Sequence, residues 1–557
     1  MPARVAIILV LSLLPSDAFA ANKAGLVEIS GQIDEMLRAA TPDFDTKASP
    51  RCTDAEFLRR AYLDLHGTIP PAAVVREFAA DQSGDKRSRL IDKLLDSPRY
   101  ARRMADLFNI MLMERRPDVY VPVAEWHDYL RKSFLENKPL DQLAFEILAS
   151  DGTDASTRPA AKFFLDRKLN IDLVTRDLGR VFLGRDMECA QCHDHPNVDD
   201  YLQRHYHGLA AFMKRAYLYT DSKKKKTYIG EKAEGDVTFT SVFTNESNKT
   251  NPRLLDLPEF VDPPNTQKQY IDKPTSKVRG VPIYSRRQQL AYAMLSDANV
   301  DFRRNWANRL WAMMMGRGLV EPVDLYHSSN PASHPELLEF LAVQLDDHQF
   351  DVKWMLRQLA LTESYQRSSE TKLDSAEPSQ YLHALLKPLS PEQMGWSILE
   401  ATGSRKRTLE TVIAGVLKSD PKFGKGRSEH PVWQDVAVAE ALKSRVAQLA
   451  TIFAPTAPGP EVGFDASADQ ALFMYNGAEL HNLISVDKSP GLMQRLAKIE
   501  DPTKVVEAAC VATLSRTPTT DESQQLANYI KSSSDKAAAT KDIVWALLTS
   551  AEFRFNH

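Results

Sequence analysis

The chain has 557 residues, of which 43% are hydrophobic and 26% charged, with 70 Lys and Arg against 74 Asp and Glu. That length fits several domains rather than one, and the composition excludes a disordered, collagen-like or disulfide-dense chain. A formal net charge of −4 leaves no global basic excess for nucleic acid and no acidic tail.

The first element is not part of a fold. Arg4 precedes the apolar run Val5 to Leu14; Pro15, Ser16 and Asp17 break it, and Ala18-Phe19-Ala20 reads as a small-x-small cleavage site. Size and order give a secretory signal peptide over 1–20. The run is too short for a membrane-spanning helix, and no later segment reaches the roughly 18 apolar residues that a span needs. The expectation is an exported protein, periplasmic or extracellular, without a transmembrane span.

From residue 21 helical periodicity dominates. Leu90, Ile91, Leu94 and Leu95 share one helical face. Ser97 is placed to cap the next helix, with Pro98 in its first turn. Similar patterns cover 125–136, 141–149 and 171–182. Residues 216–281 differ: four lysines at 223–226, an alternating strand-like run at 236–243, then Pro252, Pro258, Pro263, Pro264 and Pro274. Helices resume at Ser285. Gly316 and Gly318 stand where left-handed caps end a Met-rich helix, and Ser333 to Glu336 spells a capping box. Leu94 to Tyr100 is faintly echoed by Leu547 to Phe553. The fold class expected is mostly α: two multi-helix lobes, 21–215 and 282–557, with a small β-containing insert at 216–281 between them.

Chemistry concentrates in one stretch. Cys189-Ala190-Gln191-Cys192-His193 is the attachment pattern of c-type haem. Two thiols one helical turn apart can add to the two vinyl groups of one porphyrin, and the adjacent histidine then offers its ring nitrogen to the iron. Such attachment takes place outside the cytoplasm, in agreement with the leader. His195, His205, His207 or Met213 are candidates for a second axial ligand, and Asp194 or Asp199 for orienting an imidazole. The same residues permit a zinc or other transition-metal site made of Cys189, Cys192 and two of His193, His195, His205 and His207. A third reading is a disulfide or thiol pair with histidine nearby. Cys52 and Cys510 lie in the two echo regions and are candidates for a disulfide between the lobes. Arg309 and Arg317 are candidates for a ligand carboxylate or for structural ion pairs. No phosphate-binding Gly loop, Gly-x-Ser-x-Gly elbow or His-Glu-x-x-His occurs.

Arg59 to Gly67, Leu94 to Tyr100, Val181 to Gly184, Cys189 to Pro196 and Tyr206 to Phe212 together resemble the planctomycete cytochrome-like family. Asn308 to Trp311, Gly316 to Pro322, Ser333 to Leu338 and the closing Phe553 to His557 resemble its planctomycete-specific partner domain of unknown function. The resemblance implies a secreted bacterial protein whose family name rests on the Cys-x-x-Cys-His signature. It departs from the family at Asn197-Val198, where an aromatic is usual. The functional expectation is a haem c or metal-binding envelope protein in electron transfer, with an unidentified redox partner or substrate. Two alternatives stand beside it: a scaffold stapled by a Cys/His zinc site, and an envelope enzyme acting on polysaccharide.

Overall fold

Leu90, Ile91, Leu94 and Leu95 are all buried along the helix Lys86–Leu95, as a 3.6-residue period requires. Ser97 accepts a hydrogen bond from the Arg99 backbone N–H and Pro98 opens the helix Pro98–Met113. The computed structural model describes residues 28–240, 247–264, 268–371, 377–454, 470, 472–473, 477–485 and 491–557. The expected signal peptide at 1–20 lies outside these residues, as do residues 241–243 of the expected strand. The described chain is mostly α, with small two-stranded antiparallel sheets. No described helix is long and apolar enough to cross a membrane.

Region 216–281 is the β-containing insert. Ala216–Asp221 pairs with Lys226–Glu231, Val237–Thr240 with Ser247–Thr250, and Tyr270–Asp272 with Val281–Pro282. The lysine run forms the exposed turn of the first hairpin, where the Asp221 carboxylate accepts from the Lys223 and Lys224 N–H groups. A fourth pairing, Lys387–Pro388 with Phe555–Asn556, fastens the end of the chain to its middle.

The buried apolar side chains fall into two clusters. One runs from Ile33 to Leu382, joined by Val511, and holds Trp126, Trp306 and Trp311. The other takes Leu63 and Ile69 and then residues from Leu389 to Phe553. The helices Arg286–Met294, Val300–Met315, Pro335–Asp347 and Val352–Leu361 therefore complete the first core, although the sequence places them in a lobe starting at 282. Their apolar faces, with Leu290, Phe302, Trp306, Leu341 and Leu356 buried, have no other surface to cover. The boundary between cores falls near residue 385.

Three local expectations need correction. Ser333 does not cap the helix Pro335–Asp347: its N–H is tied to the Leu319 carbonyl, its hydroxyl meets His334 Nδ1 at 3.1 Å, and His334 takes the cap position. Only Gly316 of the two glycines has positive φ, at 84°. Cys52 and Cys510 are both buried free thiols, one in each core, so no bridge joins them. Cys52 instead sits 3.9 Å from Arg60 Nη1 and 3.8 Å from Arg87 Nη1.

The helix Asp54–His66 joins the cores, with Phe57, Leu58 and Leu65 in the first and Leu63 in the second. Arg59 is fully buried and donates to the carbonyls of Thr513, Glu552, Phe553 and Phe555 at 3.0–3.4 Å. The Asp64 carboxylate accepts from Tyr365 Oη at 2.8 Å, Lys387 Nζ at 2.6 and 2.7 Å, and Asn556 Nδ2 at 2.8 Å. His66 donates from Nε2 to the Leu94 carbonyl at 3.0 Å. Burial first, and Arg99, Arg102 and Arg405 after it, hold the His66 ring neutral well below its ordinary range.

Removing one partner of a buried ion pair strands the other charge. Asp64→Asn is therefore expected to cost about 3–5 kcal/mol in denaturant unfolding, and Asp64→Asn with Lys387→Met to cost less than the sum of the two single changes. His66 takes up a proton on unfolding, so its stabilising contribution is complete above the unfolded pKa of about 6.5 and is lost as pH falls below it. His66→Gln should flatten the drop in unfolding free energy measured between about pH 6.5 and 5.

Candidate functional site

The helix Ile171–Leu178 runs into a π-helical turn, Gly179–Leu183, whose residues are all buried. Such turns interrupt α-helices most often at functional sites. Gly184 ends it at φ 67°, and a Cβ there would lie 2.8 Å from Asn305 Oδ1, so both backbone and space demand glycine. The chain then docks on the second half. Tyr326 N–H donates to the Gly184 carbonyl at 2.9 Å and Asp186 N–H to the Asp324 carbonyl at 2.7 Å. Arg185 donates to Asp301 at 2.8 Å and lies over the Tyr326 ring.

The motif follows directly. Glu188–Gln191 form a 3-10 turn and Cys192 closes it. Residues three apart eclipse in such a turn. Cys189 and Cys192 are exposed free thiols, three residues apart, while Ala190 between them is fully buried. The helix Gln203–Ala211 grips this turn. Gln203 Nε2 donates to the Cys192 carbonyl at 2.9 Å, and His207 Nε2 to the Gln191 carbonyl at 3.1 Å. The Asp194 carboxylate accepts from the Gln203 N–H at 2.7 Å. The His207 ring lies flat on Phe239 of the insert, with centroids 4.5 Å apart and planes at 8°. Burial pushes the His207 pKa down, so the donating ring is neutral.

Beneath the motif lies a buried ionic network. Arg167 and Arg176 donate to Asp177 at 2.6 Å, and Arg116 and Arg180 reach Glu114 at 2.6 and 2.7 Å. Burial alone would raise the Asp177 pKa, but Arg167, Arg176 and Arg180 outweigh it and hold the carboxyl below its usual range. Arg309 is the structural pairing of the two options that the sequence leaves open: it binds Asp324 and donates to the Arg180 carbonyl at 2.7 Å.

The four histidines do not converge. His193 donates from Nδ1 to the Asp194 carbonyl at 2.7 Å, which makes Nε2 the lone-pair nitrogen. His195 accepts from the Asn197 N–H at Nδ1 and stands edge-on to Tyr201. His205 is buried, with Nδ1 on the Asp200 carbonyl and Nε2 on the Asp256 carboxylate, both at 2.9 Å. His207 is committed to Gln191. Among the described residues, no three His, Cys, Asp or Glu side chains are arranged to hold a metal ion. The expected set of Cys189 and Cys192 with two histidines is not assembled, because His195, His205 and His207 each face a separate partner. Met213 is fully buried in the core. The Asp194 carboxylate orients backbone while its carbonyl takes the His193 imidazole, and Asp199 is exposed.

Three contributors escape a sequence reading. His327, from the second half, stands edge-on to Tyr201 at 5.5 Å opposite His195. Phe239 belongs to a strand far along the chain. Gln203 was the most accessible, since it lies one helical turn before His207 and shares its face. A cleft of about 440 Å³ opens beside the loop, lined by Arg185, Asp200, His205, Asp256 and Asp301 among others.

In protein made without haem attachment, two of the four thiols should react rapidly with a disulfide reagent in the native state and all four after unfolding. Burial raises both remaining thiols, Cys510 to about 11. The Cys189→Ser/Cys192→Ser variant should lose the rapid pair and keep the slow one.

No curated protein and no solved structure matches the chain. Residues 32–217 match the family model PSCyt2, described as a protein of unknown function (DUF1549). Residues 286–530 match PSD1, described as a protein of unknown function (DUF1553). The chain thus has the two-domain layout of a PSCyt2 region followed by a PSD1 region.

Proposed function

We propose that the protein is an exported c-type haem protein with an electron-transfer role in the cell envelope. Cys189 and Cys192 would hold the haem and His193 would supply a nitrogen to its iron. The observation that supports this reading is that both thiols are exposed, three residues apart at a single 3-10 turn, with His193 next in the chain. Each thiol would hold one side of the porphyrin as a thioether. The Asp194 carbonyl fixes the His193 tautomer, so that Nε2 keeps the lone pair that an iron ligand needs.

The remaining residues act on the turn itself. Gln203 and His207 hold the carbonyls of Cys192 and Gln191, and Ala190 between the two cysteines is buried. This holds the backbone that carries the two thiols. When bound, the haem supplies one-electron redox chemistry. The cytochrome-like wording of the PSCyt2 name is in keeping with this reading. The leader at 1–20 and the planctomycete origin implied by the resemblance belong to the same proposal. The partner is a redox protein or reducible substrate of the envelope.

The test is a pyridine haemochrome spectrum on protein exported through a host with an active haem-ligation system. One covalent haem per chain is expected, absent in Cys189→Ala/Cys192→Ala. His193→Ala should retain covalent haem when ligation is forced but shift its visible spectrum. Efficient export without haem would overturn the proposal.

A further inference from the structure

The seam between the two cores contains a second cleft, far from the Cys-x-x-Cys-His turn in sequence. Its walls are the helices Pro98–Met113 and Val123–Leu135 from one side and Pro391–Ala401 and Pro431–Phe453 from the other. Its volume is about 340 Å³, within the range of small-molecule sites, which favour such interfaces. Arg102, Trp396 and Asp435 form one part of the lining, and Val436, Ala439 and Ala447 give it an apolar part.

The charges around this cleft are nearly all paired. His127 meets Asp106 at 2.8 Å, Arg131 meets Asp128 at 2.6 Å, Glu392 meets Arg115 at 2.7 Å and Lys443 meets Glu440 at 3.8 Å. Among the described residues, Arg102 and the Asp435 Oδ1 atom are the exceptions, both buried without a hydrogen bond. The Arg102 side chain is 4% exposed, and Nε, Nη1 and Nη2 are all buried without a hydrogen-bond acceptor. Asp435 stands 3.9 Å from Nε, beyond hydrogen-bond reach. That carboxylate also lies 3.6 Å from Arg405, whose other ion-pair partner among the described residues is Glu400 at 4.0 Å. The Arg102 guanidinium lies 4.0 Å over the Trp396 ring, an arrangement that leaves the edge of the fork for an acceptor. Two buried guanidinia thus flank one carboxylate without a hydrogen bond to it, and among the described residues no N–H of Arg102 has an acceptor.

We propose that this cleft binds a small organic monocarboxylate. Arg102 takes the carboxylate, and Trp396, Val436, Ala439 and Ala447 take the apolar body. A planar, singly charged acid matches the bidentate fork. The Asp435 carboxylate beside Arg102 repels a phosphate dianion more strongly than a singly charged acid, and a wholly neutral ligand would leave the guanidinium unsatisfied. This site is independent of the haem reading, since none of its residues belongs to the Cys-x-x-Cys-His loop.

The test is calorimetric titration of the full mature protein with hexanoate, compared with 1-hexanol and hexylammonium. Hexanoate is expected to bind one per chain, at least tenfold more tightly than hexanol, and hexylammonium not at all. Arg102→Gln should reduce hexanoate to the affinity of hexanol. Ala447→Trp, at an exposed position on the rim, should block hexanoate with the circular dichroism unchanged. If Arg102→Gln fails to fold, the alcohol comparison and Ala447→Trp decide. Absence of saturable hexanoate binding, equal affinity for hexanoate and hexanol, or hexanoate binding undiminished in Ala447→Trp would each overturn the proposal.

Discussion

Asp64 accepts hydrogen bonds from Tyr365, Lys387 and Asn556 inside the protein, and the relation of the two cores depends on that carboxylate. A buried ion pair of this kind adds little net stability compared with an apolar replacement, but its loss is costly and its geometry is selective. Three segments far apart in the chain must arrive together to satisfy one carboxylate. Arg59, on the same helix, does the same for four backbone carbonyls near the C-terminus. One helix thereby fixes the end of the chain, closes the Lys387–Asn556 pairing and sets the seam along which the second cleft lies.

The Cys-x-x-Cys-His turn is built on an equally constrained base. A π-turn, a left-handed glycine and a backbone bridge to residues 324–326 bring the loop out of the first core at a fixed angle. The network around Asp177 and Glu114 supports it from beneath with arginines from several segments. The turn itself is short and exposed, yet its carbonyls are held by Gln203 and His207. Rigid support under a chemically exposed edge is the arrangement that a covalent attachment site needs, since both sulfurs must meet fixed positions on one ring.

Much of this was legible beforehand because it is local. The burial of Leu90 to Leu95, the Ser97 cap and the Gly316 helix end depend on residues within a few positions of one another. The Cys189–Cys192 spacing likewise falls at a single short turn, with both thiols exposed. The capping box at Ser333 failed for the opposite reason: a long-range bond from its N–H to Leu319 turned the segment away. The histidines show the same limit. Their clustering in sequence pointed to a shared metal, but His205 found Asp256 and His207 found Phe239, both from the insert.

The sequence by itself determined the helical class, the β-containing insert and the candidate attachment residues Cys189, Cys192 and His193, because periodicity and short spacings act through nearest neighbours along the chain. Only the tertiary structure decided where the cores divide, that Cys52 and Cys510 stay apart, and which histidines are occupied by other partners. It also decided that Arg102 lies buried at a seam without an acceptor. These outcomes follow from burial and pairing between segments hundreds of residues apart, where each polar group takes whichever partner the packing brings within about 3 Å.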